Sequence, residues 1–233
     1  MPAHRRTALT AGLLYLVTIV ASIPALALKT PLLDGTTTTA AASQARLAVV
    51  LELLLAAACV GTAVVLHPLL RRCSEALSLG FVAARTVEAA TIVVGVLAIL
   101  GLVAQPQAPS AAGLVALHDA AFLVGPGLIP AVNALCLGTI LYRTRLVPRA
   151  IPALGLVGAP ILLASALATI AGSLDQVSTL AGLLALPIAA WELTLGLWLT
   201  AKGFRTDAIE QLADGPRLPA GGVDRGELHG DIA

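Results

Sequence analysis

Residues 77–103 read LSLGFVAARTVEAATIVVGVLAILGLV, and this run decides the fold. Its only ionisable side chains are Arg85 and Glu88, and its apolar residues show no period-two alternation. At about 1.5 Å rise per residue a helix of this length crosses a hydrocarbon core of about 30 Å. A barrel strand needs only about 9–11 residues and alternates lipid-facing with lumen-facing positions. The stretch therefore predicts a transmembrane helix, whose backbone groups are satisfied within the helix itself.

Five further stretches of the same kind lie near 8–28, 47–70, 118–142, 151–172 and 178–201. The expected fold class is all-α, a polytopic membrane helix bundle of about six transmembrane helices filling residues 1–204. Composition agrees: of 233 residues, 58% are apolar and 12% charged, with a mean hydropathy of +0.94. Soluble domains carry about 25% charged residues. After Phe204 the chain turns to Asp, Glu, Gly and Pro, so 205–233 is expected to be a disordered cytoplasmic tail.

Fourteen basic against thirteen acidic residues give a net charge of +1, which excludes a nucleic-acid binder of the basic kind. The expected partner is the lipid bilayer. Cys59, Cys73 and Cys136 are widely spaced, with no CxxC and no neighbouring histidine pair, so neither a disulfide framework nor a zinc site is expected. No phosphate loop, HExxH, GxSxG or Ser-His-Asp order occurs. Neither a cofactor nor a metal is expected, and no residue is assigned a catalytic role.

Basic residues set orientation. Arg5, Arg6, Arg71, Arg72, Arg143, Arg145, Arg149, Lys202, Arg205, Arg217 and Arg225 fall on one side of the spans; only Lys29 and Arg46 fall on the other. Both termini are expected in the cytoplasm of a bacterial inner membrane. The first span ends in Ala25-Leu26-Ala27, the shape of a signal-peptide cleavage site, yet Thr7–Leu28 is long for such a signal and retention is favoured.

Ionisable residues inside spans mark functional sites by default. By helical rise, Arg85 lies about 12 Å and Glu88 about 16 Å from the arginine-rich end, while Glu192 and Asn133 lie about 14 Å from it. These four can form one buried polar layer. With one positive and two negative groups, the layer either attracts a cation or keeps a proton on one glutamate; a closed network that only fixes helix register is the other reading. Glu52, His118 and Asp119 form a second candidate layer, an external vestibule or a hydrated helix end. Pro126, Pro130 and Pro187 are expected to break the fourth and sixth spans, as in carriers whose broken helices line the binding site. Gly155 to Ala159 and Gly182 to Gly196 offer small residues for close packing and for a possible homo-oligomer.

The polar words Phe81-Val82-Ala83-Ala84-Arg85-Thr86-Val87-Glu88, Leu117-His118-Asp119, Tyr142-Arg143-Thr144-Arg145-Leu146-Val147-Pro148-Arg149 and Trp191-Glu192-Leu193-Thr194-Leu195-Gly196-Leu197-Trp198, with Ala11-Gly12-Leu13-Leu14-Tyr15-Leu16, resemble the bacterial domain-of-unknown-function 4386 family of integral membrane proteins. The resemblance covers about Thr7 to Phe204 and implies six membrane helices, but no established activity. The functional expectation is a non-enzymatic membrane protein. Its alternatives are a carrier or channel-like protein for a small cation or proton-coupled solute, and a scaffold recruiting a cytoplasmic partner. A lipid-directed enzyme ranks behind these, for want of a nucleophile.

Overall fold

Apolar runs that bond only to themselves become helices, and the computed structural model, which describes residues 2–214, is built from them. They are α1 (Ala3–Leu33), α2 (Thr39–Leu70), α3 (Glu75–Ala104), α4 (Ala111–Val124), α5 (Ile129–Thr144), α6 (Ala150–Ile170), α7 (Thr179–Ala201) and α8 (Thr206–Asp214). Six segments are long and apolar enough to cross a membrane: α1, α2, α3, α4 with α5, α6 and α7.

Local chemistry sets the ends. Thr38, Ser74 and Ser178 cap α2, α3 and α7, each side-chain oxygen accepting the N–H three residues on, at 3.2, 3.4 and 3.2 Å. Gly172 and Gly203, with φ of +73° and +79°, turn the chain out of α6 and α7 in the left-handed conformation that glycine tolerates best. Arg5 at the start of α1 donates to the last carbonyls of α7, Leu199 O at 3.0 Å and Thr200 O at 2.8 Å. That contact ties the two ends of the bundle together.

Each span packs on the next, α3 meeting both α4 and α5 and α5 meeting α6, and α7 returns onto α1, so the six spans form a closed ring. Its inner faces are rich in Ala8, Ala11, Ala45, Ala48 and Ala134, while Val20, Ile23, Val64, Leu97 and Val157 point outward. Large apolar groups outside and small ones inside suit a lipid surround, where close backbone approach rather than water exclusion drives association. At Gly12 an added Cβ would stand 2.6 Å from the Thr200 backbone N and 2.8 Å from Gly196 O. At Gly155 it would stand 2.6 Å from the Trp191 ring. Gly182 has nothing within 4 Å, so it takes no part in such packing.

The structure departs from sequence expectation in its first connector and at the end of the described residues. The connector expected over 29–46 is mostly helix, because α1 runs on to Leu33 and the Thr38 cap starts α2 in an alanine-rich stretch of high helix propensity. The fourth span is interrupted around Pro126, where a break is expected, and forms two helices separated at Gly125–Leu128. Residues 206–214, expected as unstructured, form α8. Its Ala208 is buried, Ile209 and Leu212 pack on the core, and Arg205 N–H donates to Leu146 O at 2.9 Å. Two turns of apolar spacing are too few to stand out against the polar composition around them. The rest of the expected tail, with Arg217 and Arg225, lies outside the described residues.

The α1–α7 seam yields a paired prediction for thermal melts in detergent. Gly12→Ala overpacks against backbone and should cost about 1–3 kcal/mol. Gly182→Ala meets open space and should be neutral or gain up to about 1 kcal/mol of helix propensity. Equal melting of the two variants would contradict the seam.

Candidate functional site

Arg85 and Glu88 stand three residues apart on α3, which puts both on one helical face toward the ring centre. Arg85 Nη1 donates to Glu88 Oε2 at 3.0 Å, and Nη2 donates across the ring to Glu192 Oε1 of α7 at 2.8 Å. Asn133 Nδ2 of α5 donates to the same Glu88 oxygen at 2.7 Å. The four residues of the inner layer therefore meet in one network.

The surroundings complete its cage. The guanidinium carbon lies 5.0 Å from the Tyr15 ring centroid on α1 and 5.9 Å from that of Phe81, within cation–π range. Arg85 Nη1 also stands 3.6 Å from Cys59 Sγ on α2. Arg85, Glu88 and Asn133 are buried, and Glu192 is partly exposed. With its three charged members ionised, the cluster carries one net negative charge. Arg85 Nε, Asn133 Oδ1 and the Tyr15 hydroxyl have no partner among the described residues.

The second layer is also brought together, with a member that sequence reasoning missed. Lys29, expected in an external loop, lies within α1 at 1% exposure and pairs with Glu52 of α2. Its ammonium stands 4.9 Å from the Phe122 ring centroid on α4. His118 Nδ1 bonds Asp119 Oδ1 at 3.0 Å; His118 is buried and Asp119 exposed. Lys29, Glu52, His118 and Phe122 line one small cavity, and Glu52 Oε2 has no partner there among the described residues. A lysine at the edge of an apolar run reads as a loop residue; only the 23-residue offset to Glu52 across a tight α1–α2 hairpin hinted at the pair.

Larger space opens beside this layer. Two neighbouring cavities of about 510 and 240 Å³ have Leu26, Phe122 and Pro126 as shared lining. The larger runs between α4, α6 and α7 past Leu162 and Ala185; the smaller ends on Lys29 and Glu52. Pro126 sits in the break, where Gly127 N–H reaches back to Phe122 O at 2.9 Å and Ile129 N–H to Gly125 O at 3.0 Å. Pro130 lies in the first turn of α5, where a missing N–H is harmless. Pro187 does not break its helix: α7 is continuous through it, and the proline packs against Gly158 of α6. Among the described residues no cluster of three or more metal-ligating side chains occurs. The half-buried Cys73, between α2 and α3, has its thiol pushed up by burial, which disfavours the reactive thiolate.

Fold and site together define a helical bundle of six membrane-length spans, tied at its centre by an Arg–Glu–Asn network and holding a second ion pair beside a cavity. The chain belongs to the family described as Domain of unknown function (DUF4386), which it matches over residues 10–203. No curated protein and no solved structure matches it.

Removing Arg85 leaves two carboxylates facing each other without a cation. Arg85→Met should therefore cost about 3–5 kcal/mol in detergent denaturation, with Glu192→Gln milder. Adding Glu192→Gln to Arg85→Met should recover part of the loss, and adding Glu88→Gln as well should recover most of it. Strictly additive losses would mean that these groups do not act as one network.

Proposed function

We propose that the protein is an integral protein of the bacterial inner membrane that binds and carries a small amphiphilic solute, without enzymatic chemistry. Both termini face the cytoplasm in this reading. Its support is the distribution of exposed cations. With Lys29 buried, Arg46 is the one exposed basic residue at its end among the described residues, against Arg6, Arg71, Arg72, Arg143, Arg145, Arg149, Lys202 and Arg205 at the other.

The observation that carries the solute reading is the pair of neighbouring cavities, the smaller of them lined by the buried Lys29–Glu52 pair. Their apolar wall of Leu26, Phe122, Leu162 and Ala185 suits a hydrocarbon or aromatic body. Their charged end suits a polar head: Glu52 Oε2 accepts a donor, and Lys29 has protons beyond the one engaged by Glu52. The broken span beside it supplies a segment that can shift without tearing a continuous helical ladder. The inner network is the lock of this reading, closing the arginine-rich half so that the cavity faces one side only.

Two measurements test it. In a variant with Cys59, Cys73 and Cys136 replaced by alanine, Thr169→Cys on the cavity wall should react with an impermeant maleimide in intact spheroplasts. Lys202→Cys should react only after permeabilisation, and the reverse pattern would invert the topology. In proteoliposomes, uptake of at least one amphiphilic probe, phenylalanine or benzylamine, should exceed that of empty liposomes. Ala185→Trp, which fills the larger cavity, should abolish it. Absence of uptake for both probes would overturn the carrier reading.

A further inference from the structure

The arginine-rich end holds a second concavity, which neither the inner network nor the solute cavity uses. The turn between α5 and α6 and the docked α8 enclose about 350 Å³, with Arg143, Arg145 and Arg149 on one wall and Ala208, Gln211 and Leu212 on the other. Among the described residues no carboxylate lines it, and no ion pair involves any of the three arginines. Arg205, one residue before α8, shows the contrast. It holds Asp207 through two bonds of 3.2 and 2.7 Å, and those bonds keep the Asp207 carboxyl below the usual carboxylate range.

Topology asks for basic residues somewhere in this turn, but it does not ask for them at these backbone positions. Arg145 closes α5 with φ +57°, a left-handed conformation in which glycine or asparagine is the ordinary occupant. Arg149 occupies the N-cap of α6, where the positive end of the helix opposes a cation and Ser, Thr, Asp or Asn is preferred. Both placements work against local stability, and both side chains line the same cavity. Arg149 is further pinned there: its Nε donates to Tyr142 O at 3.3 Å and its guanidinium stacks 5.0 Å from the Tyr142 ring. That engagement leaves its two terminal amino groups to face a ligand. Three planar guanidinium forks without an acid, an amide donor from Gln211 and a small apolar floor from Leu212 make a receptor for tetrahedral oxyanions.

We propose that this cavity binds a phosphate group at the arginine-rich face of the bundle, with the arginines as ligands and α8 as the lid-like wall that completes the site. The group can come from an anionic phospholipid headgroup or from a soluble phosphate compound, since the recognising chemistry is the same. The site stands independently of the solute cavity.

The test uses the full chain in a neutral detergent, titrated calorimetrically with dihexanoylphosphatidylglycerol in one arm and inorganic pyrophosphate in the other. Sodium chloride at matched ionic strength is the control for bulk charge. Arg145→Gly is the informative variant, because it removes a guanidinium while relaxing the backbone, so its fold should melt no lower than that of the parent. Saturable binding of either probe by the parent is expected, weakened about tenfold or more in Arg145→Gly and lost in Arg143→Gln/Arg145→Gln/Arg149→Gln. Binding of the lipid alone assigns the headgroup as source, and equal or tighter binding of pyrophosphate assigns a soluble phosphate compound. No binding in either arm at millimolar probe, heats matched by sodium chloride alone, or affinities unchanged in both variants would overturn the proposal.

Discussion

A guanidinium in the middle of an apolar ring is the constraint around which the rest of the bundle is arranged. An arginine side chain stays protonated in proteins and cannot shed its charge. Arg85 must therefore be satisfied where it stands, and three helices supply what it needs: α3 through Glu88, α7 through Glu192, and α5 through Asn133 braced on Glu88. Tyr15 of α1 and Cys59 of α2 close the remaining sides. A slip of α3 by one residue along its axis would carry Arg85 and Glu88 together about 1.5 Å along and about 100° around, taking Arg85 away from Glu192, Tyr15 and Cys59 and Glu88 away from Asn133. Apolar helices slide and rotate against one another with little penalty, so a network with this geometric demand selects one register from many.

The packing of small residues depends on that register. Gly12 faces Thr200 and Gly196 with no room for a methyl, and Gly155 faces the Trp191 ring, the residue before Glu192. These contacts work only when α7 stands at the height that the Arg85–Glu192 bond sets. The reverse also holds: the close α1–α7 and α6–α7 approaches bring Glu192 near enough for a 2.8 Å bond. Arg5, bonding the last turn of α7, finishes the seam at its end. Polar specificity and steric fit are thus two statements of one alignment, concentrated in the half of the bundle that also contains the largest buried apolar cluster.

Much of this was legible in the sequence because hydrophobic length is read directly. The six spans, the break near Pro126 and the common depth of Arg85, Glu88, Asn133 and Glu192 all follow from counting residues. Facing direction across helices does not follow from counting, so the Arg85–Glu88 pair, three residues apart on one helix, was legible and Glu192 stood as a possible acceptor, while the bond from Asn133 to Glu88 was not anticipated. Lys29 was misread for a definite reason. Hydropathy stops a helix at the first charge, whereas the backbone continues as long as propensity and a partner allow, and the partner, Glu52, lies on another helix. Helix α8 was missed because its few apolar residues gain their meaning from the core they dock on. Pro187 was read as a break, but a proline whose ring is packed against a glycine on the adjacent helix can be carried within a continuous helix.

Splitting the fourth span gives its two halves different duties. α5, anchored by Asn133 to the central network, packs on α3 and α6 and belongs to the closed half. α4 packs chiefly on α3, and Gln176 of the α6–α7 loop tethers it through Asp119 O at 3.1 Å. A continuous helix would have to follow α5 along α6 to the far end and fill the space that the larger cavity occupies. Because the ladder is interrupted at Gly125–Leu128, α4 leans toward α3 instead and brings Phe122 over Lys29. The buried ion pair and the cavity beside it thus share an origin in one short stretch, Gly125-Pro126-Gly127, where a proline removes a backbone donor and two glycines let the chain turn.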